Sequence, residues 1–177
     1  DSIKLWDAAS GKELRTLRGH RDSVRSVAFA PDGQTLASGS YDDTIKLWDS
    51  ASGRELRTLT GHANRVNAVA FSPDGKLLVS GAEDQSVRLW DAASGREQKV
   101  LHGHGGAVLA VAFAPDGKTV ASSGRDRSVR LWDTASGKEL RVLAVPSGRV
   151  SSVAFTPDGR TLIAGADDGA LRLWDTA

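Results

Sequence analysis

The chain has 177 residues, enough to bury a core, and 40% are hydrophobic, which excludes a disordered polymer. Its 23 Lys and Arg against 22 Asp and Glu leave a net charge of +1, interspersed rather than in blocks, so neither nucleic acid nor a membrane surface is an expected partner. Without cysteine there is no disulfide framework and no thiolate site, which allows a reducing, cytoplasmic setting, and no apolar run approaches the ~18 residues a spanning helix needs.

Asp1 to Asp7 reads as a strand, with Ile3 and Leu5 alternating against Ser2, Lys4 and Trp6. That the first residue is Asp1 rather than Met suggests a processed chain or a piece of a longer one. A turn at Ser10-Gly11 leads to a second strand, Glu13 to Leu17, and Gly19-His20 then opens a longer unit. Val24 to Phe29 is its first strand. Val24 stands three before Val27, a spacing that period-2 alternation accommodates only with an extra residue, so a bulge is predicted near Arg25-Ser26. Pro31-Asp32-Gly33 is a hairpin turn. Leu36 to Ser40, Thr44 to Trp48 and Glu55 to Leu59 follow as strands, separated by turns at Asp42-Asp43 and Ser52-Gly53.

The unit then repeats. Trp-Asp occurs at Trp6, Trp48, Trp90, Trp132 and Trp174, in steps of 42 residues. Valine and phenylalanine recur as Val69 and Phe71, Val111 and Phe113, Val153 and Phe155, and the hairpin as Pro73-Asp74-Gly75, Pro115-Asp116-Gly117 and Pro157-Asp158-Gly159. No helical periodicity of useful length appears. The predicted fold is all-β, with four short antiparallel strands per repeat and no internal domain boundary.

These residues resemble the WD-repeat family of β-propellers over essentially the whole chain. The resemblance implies four-stranded blades around a central channel, with Gly-His before the innermost strand and Trp-Asp ending the third. It divides residues 1–177 as a single domain: a partial repeat 1–19, repeats 20–61, 62–103 and 104–145, and a degenerate last repeat 146–177. About four blades per chain result, fewer than the family's usual ring. Two solutions are expected: the chain is a fragment of a longer protein, or copies associate, two chains forming an eight-blade homodimer in which Glu13 to Leu17 closes the partner's last blade. The Ser2–Trp6 strand would then be redundant with Leu171–Trp174.

Three sets of polar residues recur in register: His20, Ser38, Asp42, Trp48; His62, Ser80, Asp84, Trp90; and His104, Ser122, Asp126, Trp132. An indole only donates, hydroxyl and neutral imidazole do both, and a carboxylate only accepts, so a chain from Trp through Ser and His to Asp satisfies every member. The family uses this network to tie strands together. The same residue types could form a catalytic triad, but a set repeated three times, each with a tryptophan and none with a glycine-flanked nucleophile, argues for structure and against an enzyme. Histidines one blade apart do not converge on a metal, so no metal and no cofactor are expected. The last repeat has Pro146 in place of histidine and Ala164 in place of serine, so Asp168 and Trp174 are expected to lose their relay and this blade to be the least rigid. Phe29, Phe71, Phe113 and Phe155 are read as inter-sheet core. Lys46, Arg88, Arg130 and Arg172 are placed opposite Glu55, Glu97 and Glu139 in a solvated charge ladder.

By the resemblance, function is non-catalytic binding of a protein or peptide on the channel rim. The repeats beginning at His20 and His62 agree at 22 of 42 positions, so the positions that differ point to surface. Just before the network aspartates stand Tyr41, Glu83, Arg125 and Asp167. Just after the first-strand valines stand Arg25, Asn67, Leu109 and Ser151. Recognition and drift at unconstrained surface positions give the same pattern. The alternative function is a fragment or engineered array whose property is self-assembly into a closed eight-blade propeller without a ligand.

Overall fold

The structure is a computed structural model and describes residues 1–176; Ala177, the last residue of the expected domain, lies outside the described residues. All regular structure among them is β. A two-stranded sheet, β1 (Ser2–Trp6) and β2 (Glu13–Arg18), comes first. Three four-stranded antiparallel sheets follow: β3 (Val24–Phe29), β4 (Thr35–Ser40), β5 (Ile45–Asp49), β6 (Glu55–Leu59); β7 (Val66–Phe71), β8 (Leu77–Ala82), β9 (Val87–Asp91), β10 (Glu97–Leu101); and β11 (Val108–Phe113), β12 (Thr119–Gly124), β13 (Ser128–Asp133), β14 (Glu139–Ala144). A three-stranded sheet, β15 (Val150–Phe155), β16 (Thr161–Ala166) and β17 (Leu171–Asp175), ends the array.

Each sheet is a meander because its turns permit nothing longer. The Pro-Asp-Gly hairpins put Gly33, Gly75, Gly117 and Gly159 at φ of 70 or 71°, the left-handed region glycine enters without penalty. The turn after the second strand uses non-glycine residues in that region, Asp43, Gln85 and Arg127. The Asp of the first four Trp-Asp pairs caps the next turn: Asp49 accepts from the Ser52 N–H at 2.7 Å, and the serine hydroxyl donates to the same oxygen, as at Asp7, Asp91 and Asp133. The bulge expected near Arg25-Ser26 is present, since the β3–β4 register shifts between Val24 and Ser26, and it recurs at Val66/Ala68, Val108/Ala110 and Val150/Ser152.

Consecutive sheets pack face to face, their first strands closest together. Ala37, Ile45, Leu47 and Leu59 of one sheet meet Val66, Val69, Leu78 and Trp90 of the next, and the same partition recurs one sheet on. Close approach demands a small residue on the second strand. A Cβ at Gly39 would stand 2.8 Å from the Val66 Cγ1. So each sheet offers its Trp/Val/Phe face backward and its Ile/Leu face forward.

This polarity explains where the phenylalanine expectation fails. Phe71, Phe113 and Phe155 are partly buried between sheets, but Phe29 is 55% and Val27 52% exposed. The β1–β2 pair corresponds to the outer half of a blade. It covers Leu36 and Trp48 with Ile3 and Leu17, and among the described residues it leaves Val27 and Phe29 on the inner strand open. At the other end Leu171 and Leu173 on the forward face are 72% and 64% exposed. Among the described residues the array is open: β2 pairs with β1, and β17 has no fourth strand beside it.

The charge ladder is only partly solvated. Arg88 pairs with Glu97, Arg130 with Glu139 and Lys4 with Glu13, while Lys46 is buried and donates to Glu55 and Thr58 at 2.8 and 2.7 Å. Arg172 has no fourth-strand glutamate to meet and turns to Asp168 instead.

Candidate functional site

The first constellation lies at the end of the sheets opposite the Pro-Asp-Gly hairpins. Trp48 Nε1 donates to Ser38 Oγ at 2.8 Å, Ser38 Oγ lies 2.7 Å from His20 Nε2, and His20 Nδ1 lies 2.8 Å from Asp42 Oδ2. Because the carboxylate only accepts, the histidine proton sits on Nδ1, and Nε2 accepts from the serine hydroxyl. The same bonds recur through Trp90, Ser80, His62 and Asp84, and through Trp132, Ser122, His104 and Asp126, at 2.7–2.9 Å. Asp42 further accepts from the Arg21 N–H at 2.9 Å and the Thr44 hydroxyl at 2.6 Å, which ties the loop before β3 to the turn after β4.

Burial by itself would raise the Asp42 carboxyl, but the bonds from Thr44, Arg21 and His20 outweigh it and hold the group at about 2. Asp84 and Asp126 are held below the ordinary range in the same way. Burial pushes the His104 imidazole below its ordinary value against the opposing pull of Asp126, so its neutral form is favoured.

The Ser-His-Asp distances alone would suit a hydrolase. Access does not: Ser38, Ser80 and Ser122 are 0% exposed, and each hydroxyl oxygen already accepts from an indole. A nucleophile that no substrate can reach does no chemistry, and the sets are architecture. Among the described residues no group of three or more His, Cys, Asp or Glu side chains is placed to hold a metal.

In the last sheet the relay is absent, but its carboxylate finds other partners, which corrects the expectation for Asp168 and leaves it standing for Trp174. Asp168 accepts from the Ser147 hydroxyl at 2.8 Å, from the Ala170 N–H at 3.1 Å and from Arg172 Nη2 at 2.6 Å. Arg172 and Ser147 hold its carboxyl well below the usual range. The Trp174 indole, beside Ala164, has no partner among the described residues.

The second constellation is a groove of about 340 Å³ on the channel side of the same end. It is lined by Arg25, Tyr41, Asn67, Glu83, Leu109, Arg125, Ser151 and Asp167, eight residues from two repeat positions that vary between repeats, together with Arg149. One backbone bond per sheet holds it: the N–H groups of Tyr41, Glu83, Arg125 and Asp167 donate to the carbonyls of Ser23, Arg65, Ala107 and Arg149 at 2.9–3.1 Å. The bulge turns Arg25, Asn67, Leu109 and Ser151 toward these residues. Asn67 Nδ2 donates to the Val108 carbonyl at 2.9 Å, bridging two sheets, and Arg125 Nη2 donates to Glu83 at 3.1 Å across the same gap. Arg149 holds Asp167 through both its backbone N–H (2.8 Å) and its Nε (2.7 Å). Arg25 and Arg65 stand 5.2 and 4.6 Å from the centre of the Tyr41 ring.

Sequence reasoning missed Arg65 and Arg149. They occupy one repeat position with Ser23 and Ala107, and variation between repeats, the criterion that found the other eight, would have found them too. A larger hollow of about 520 Å³ lies at the hairpin end, against Pro115, Asp116, Asp158 and Gly159. Hollows bordered by the corresponding hairpin residues recur between the preceding sheets, which marks them as a product of the repeat.

Comparison with known proteins agrees with this architecture. The family model described as the WDR3 first beta-propeller domain matches residues 1–176. Nuclear distribution protein PAC1 of Mycosarcoma maydis is 49% identical over 37 residues, 21% of this chain and 8% of that protein. WD40 repeat-containing protein HOS15 of Arabidopsis thaliana is 50% identical over 36 residues, 20% of this chain and 6% of that protein. Periodic tryptophan protein 2 homolog of Neurospora crassa is 48% identical over 42 residues, 24% of this chain and 5% of that protein. Each alignment spans about one repeat and less than a tenth of the relative, so the likeness lies in the repeat. With the indole–serine–histidine–aspartate relay in three sheets and a family match over nearly every residue, the chain belongs to the WD-repeat β-propeller family.

Proposed function

We propose that this scaffold binds a protein or peptide ligand on the channel rim, in the groove between Tyr41 and Asp167. The supporting observation is that two variable repeat positions, taken through four repeats, supply eight chemically different side chains to one concavity. Tyr41, the one tyrosine of the chain, and Arg25 have the character of binding hot spots. A reducing, cytoplasmic setting belongs to the same proposal and is supported by the lack of cysteine; no helix among the described residues is long and apolar enough to cross a membrane. The test is a displayed peptide library selected on the chain, with recovered peptides measured against Tyr41→Ala, Leu109→Ala and a hairpin-end variant, Lys118→Ala. Affinity lost in the first two and kept in the third supports the rim. Equal effects of all three refute it.

The ends of the array favour a second reading, self-association of copies into an eight-blade ring. The exposed Val27 and Phe29 face and the exposed Leu171 and Leu173 face are the two halves of the contact that joins every interior pair of sheets. Further blades of a longer chain would fill the same places. Light scattering on the 177-residue chain decides: a constant mass of twice 18.7 kDa supports the ring, and a constant monomer or a polydisperse rise with concentration rejects it.

A further inference from the structure

The groove is not electrically neutral once its own pairs are counted. Glu83 is engaged by Arg125 and by Asn67 Nδ2 (3.4 Å), and Asp167 is engaged by Arg149. Both carboxylates that line it are thereby spoken for. Arg25 and Arg65 remain. Among the described residues neither has an Asp or Glu oxygen within 4.0 Å of its guanidinium, and both are exposed. They come from different sheets, Arg25 from β3 and Arg65 from the loop before β7, yet they stand against the same ring, so they cannot be further apart than the sum of 5.2 and 4.6 Å. Two like charges gathered at one aromatic repel each other. The ring's electron-rich face offsets part of that repulsion and holds the side chains with their N–H edges available.

We infer that the Arg25–Tyr41–Arg65 cluster is a binding site for the oxyanion side chains of an acidic peptide segment. The inference rests on the rim reading above and adds the chemistry of the ligand. Guanidinium groups meet carboxylate or phosphoryl oxygens with paired, charge-assisted hydrogen bonds, and an incoming anion removes the repulsion between the two arginines as it binds. The rest of the groove supplies what a peptide chain needs beside the anion: Leu109 for an apolar side chain, Ser151 for a backbone or polar group, and an extent across four sheets. A basic segment meets the opposite situation, because the carboxylates it would seek are already paired.

The experiment is fluorescence anisotropy on the 177-residue chain with labelled octapeptides: octaglutamate, octalysine, a neutral Gly/Ser peptide, and that Gly/Ser peptide with one central phosphoserine. The proteins are the wild type, Arg25→Gln/Arg65→Gln, Tyr41→Ala, Leu109→Ala, and Arg160→Gln beside the hairpin at the far end, with circular dichroism to confirm folding. Octaglutamate or the phosphoserine peptide is expected to bind wild type at least tenfold more tightly than the neutral peptide. That advantage is expected to vanish in the double variant, to fall severalfold in Tyr41→Ala, and to persist in Arg160→Gln. Whichever anionic peptide shows the larger loss identifies carboxylate or phosphoryl as the natural group. Equal losses in Arg160→Gln would reveal only diffuse attraction to the chain and overturn the site. A single-stranded oligothymidylate that bound more tightly than either peptide, with the same residue dependence, would overturn the peptide assignment. Binding of the neutral or basic peptide that depended on Leu109 and ignored both arginines would reject the acidic ligand and leave the rim reading standing. If no peptide of any charge responded to any rim variant, both would fall.

Discussion

Ser80→Ala removes one oxygen and strands two buried groups. The Ser80 hydroxyl accepts from Trp90 Nε1 at 2.8 Å and sits 2.7 Å from His62 Nε2, and Ser80 and Trp90 are 0% and 1% exposed. No other polar atom is bonded to the indole, so its donor would be left in a dry interior. His62 keeps Asp84 but loses its acceptor's partner. Leaving a buried polar group unsatisfied costs about 1–3 kcal/mol, so the two together should cost about 2–6 kcal/mol. For a chain of this size that is a fall in Tm of roughly 4–24 °C. The assay is urea and thermal unfolding followed by tryptophan fluorescence, with hydrogen exchange across β7–β10 to show whether the sheet opens alone, as arrays of repeats can. The last sheet supplies the control. It carries Pro146 and Ala164 where the others carry His and Ser, so both partners are absent together. Ser80→Ala combined with His62→Leu should therefore cost clearly less than the two single changes added. A Ser80→Ala cost below about 0.5 kcal/mol, or strict additivity in the cycle, would show that the relay does not act as a unit.

Acid should weaken the fold in two stages. The neutral form of His104 is favoured in the folded state, so the unfolded chain takes up that proton first and stability begins to fall below about pH 6.5. Asp42 is depressed from 3.8 to about 2, so the stability it contributes at neutral pH is lost as pH falls from about 4 to 2. Urea midpoints measured from pH 8 to 3 check this, and a profile that rises from pH 7 to 5 would contradict it. Ser123 stands where the two preceding sheets carry Gly39 and Gly81, and its buried hydroxyl has no partner among the described residues. Ser123→Ala should thus raise stability by about 1 kcal/mol, seen as a higher Tm; a lower Tm would mean the hydroxyl is satisfied. Amides of β17 should exchange faster than those of β9, because β17 is an edge strand under exposed Leu171 and Leu173 while β9 is paired on both sides. Protection equal to that of β9 would indicate that the last sheet is covered in solution.

Much of the architecture follows from local chemistry and was readable in the chain. Pro31-Asp32-Gly33 admits only a tight turn, the Val24-to-Val27 spacing demands an extra residue, and the Trp-Ser-His-Asp sets have one mutually satisfying order of hydrogen bonds. The repeat states each of these several times, so one accidental match does not mislead. The left-handed Asp43, Gln85 and Arg127 were not readable, because nothing in their side chains requires positive φ; the turn imposes it. Nor was the rescue of Asp168 by Ser147 and Arg172. Arg172 is free to turn because β17 has no fourth-strand glutamate beside it, a fact about a neighbour and not about the arginine.

The sequence by itself determined the strands, their order within a sheet and the relay that ties them, since these depend on residues close in the repeat. Tertiary structure alone decided which faces are covered and which charges remain. Phe29 and Phe71 are the same residue in the same motif, yet one is exposed and the other packed, because only one has a full sheet before it. In the same way Arg125 is neutralised by Glu83 and Arg65 is not, because pairing across sheets depends on distances between repeats that a single repeat does not encode.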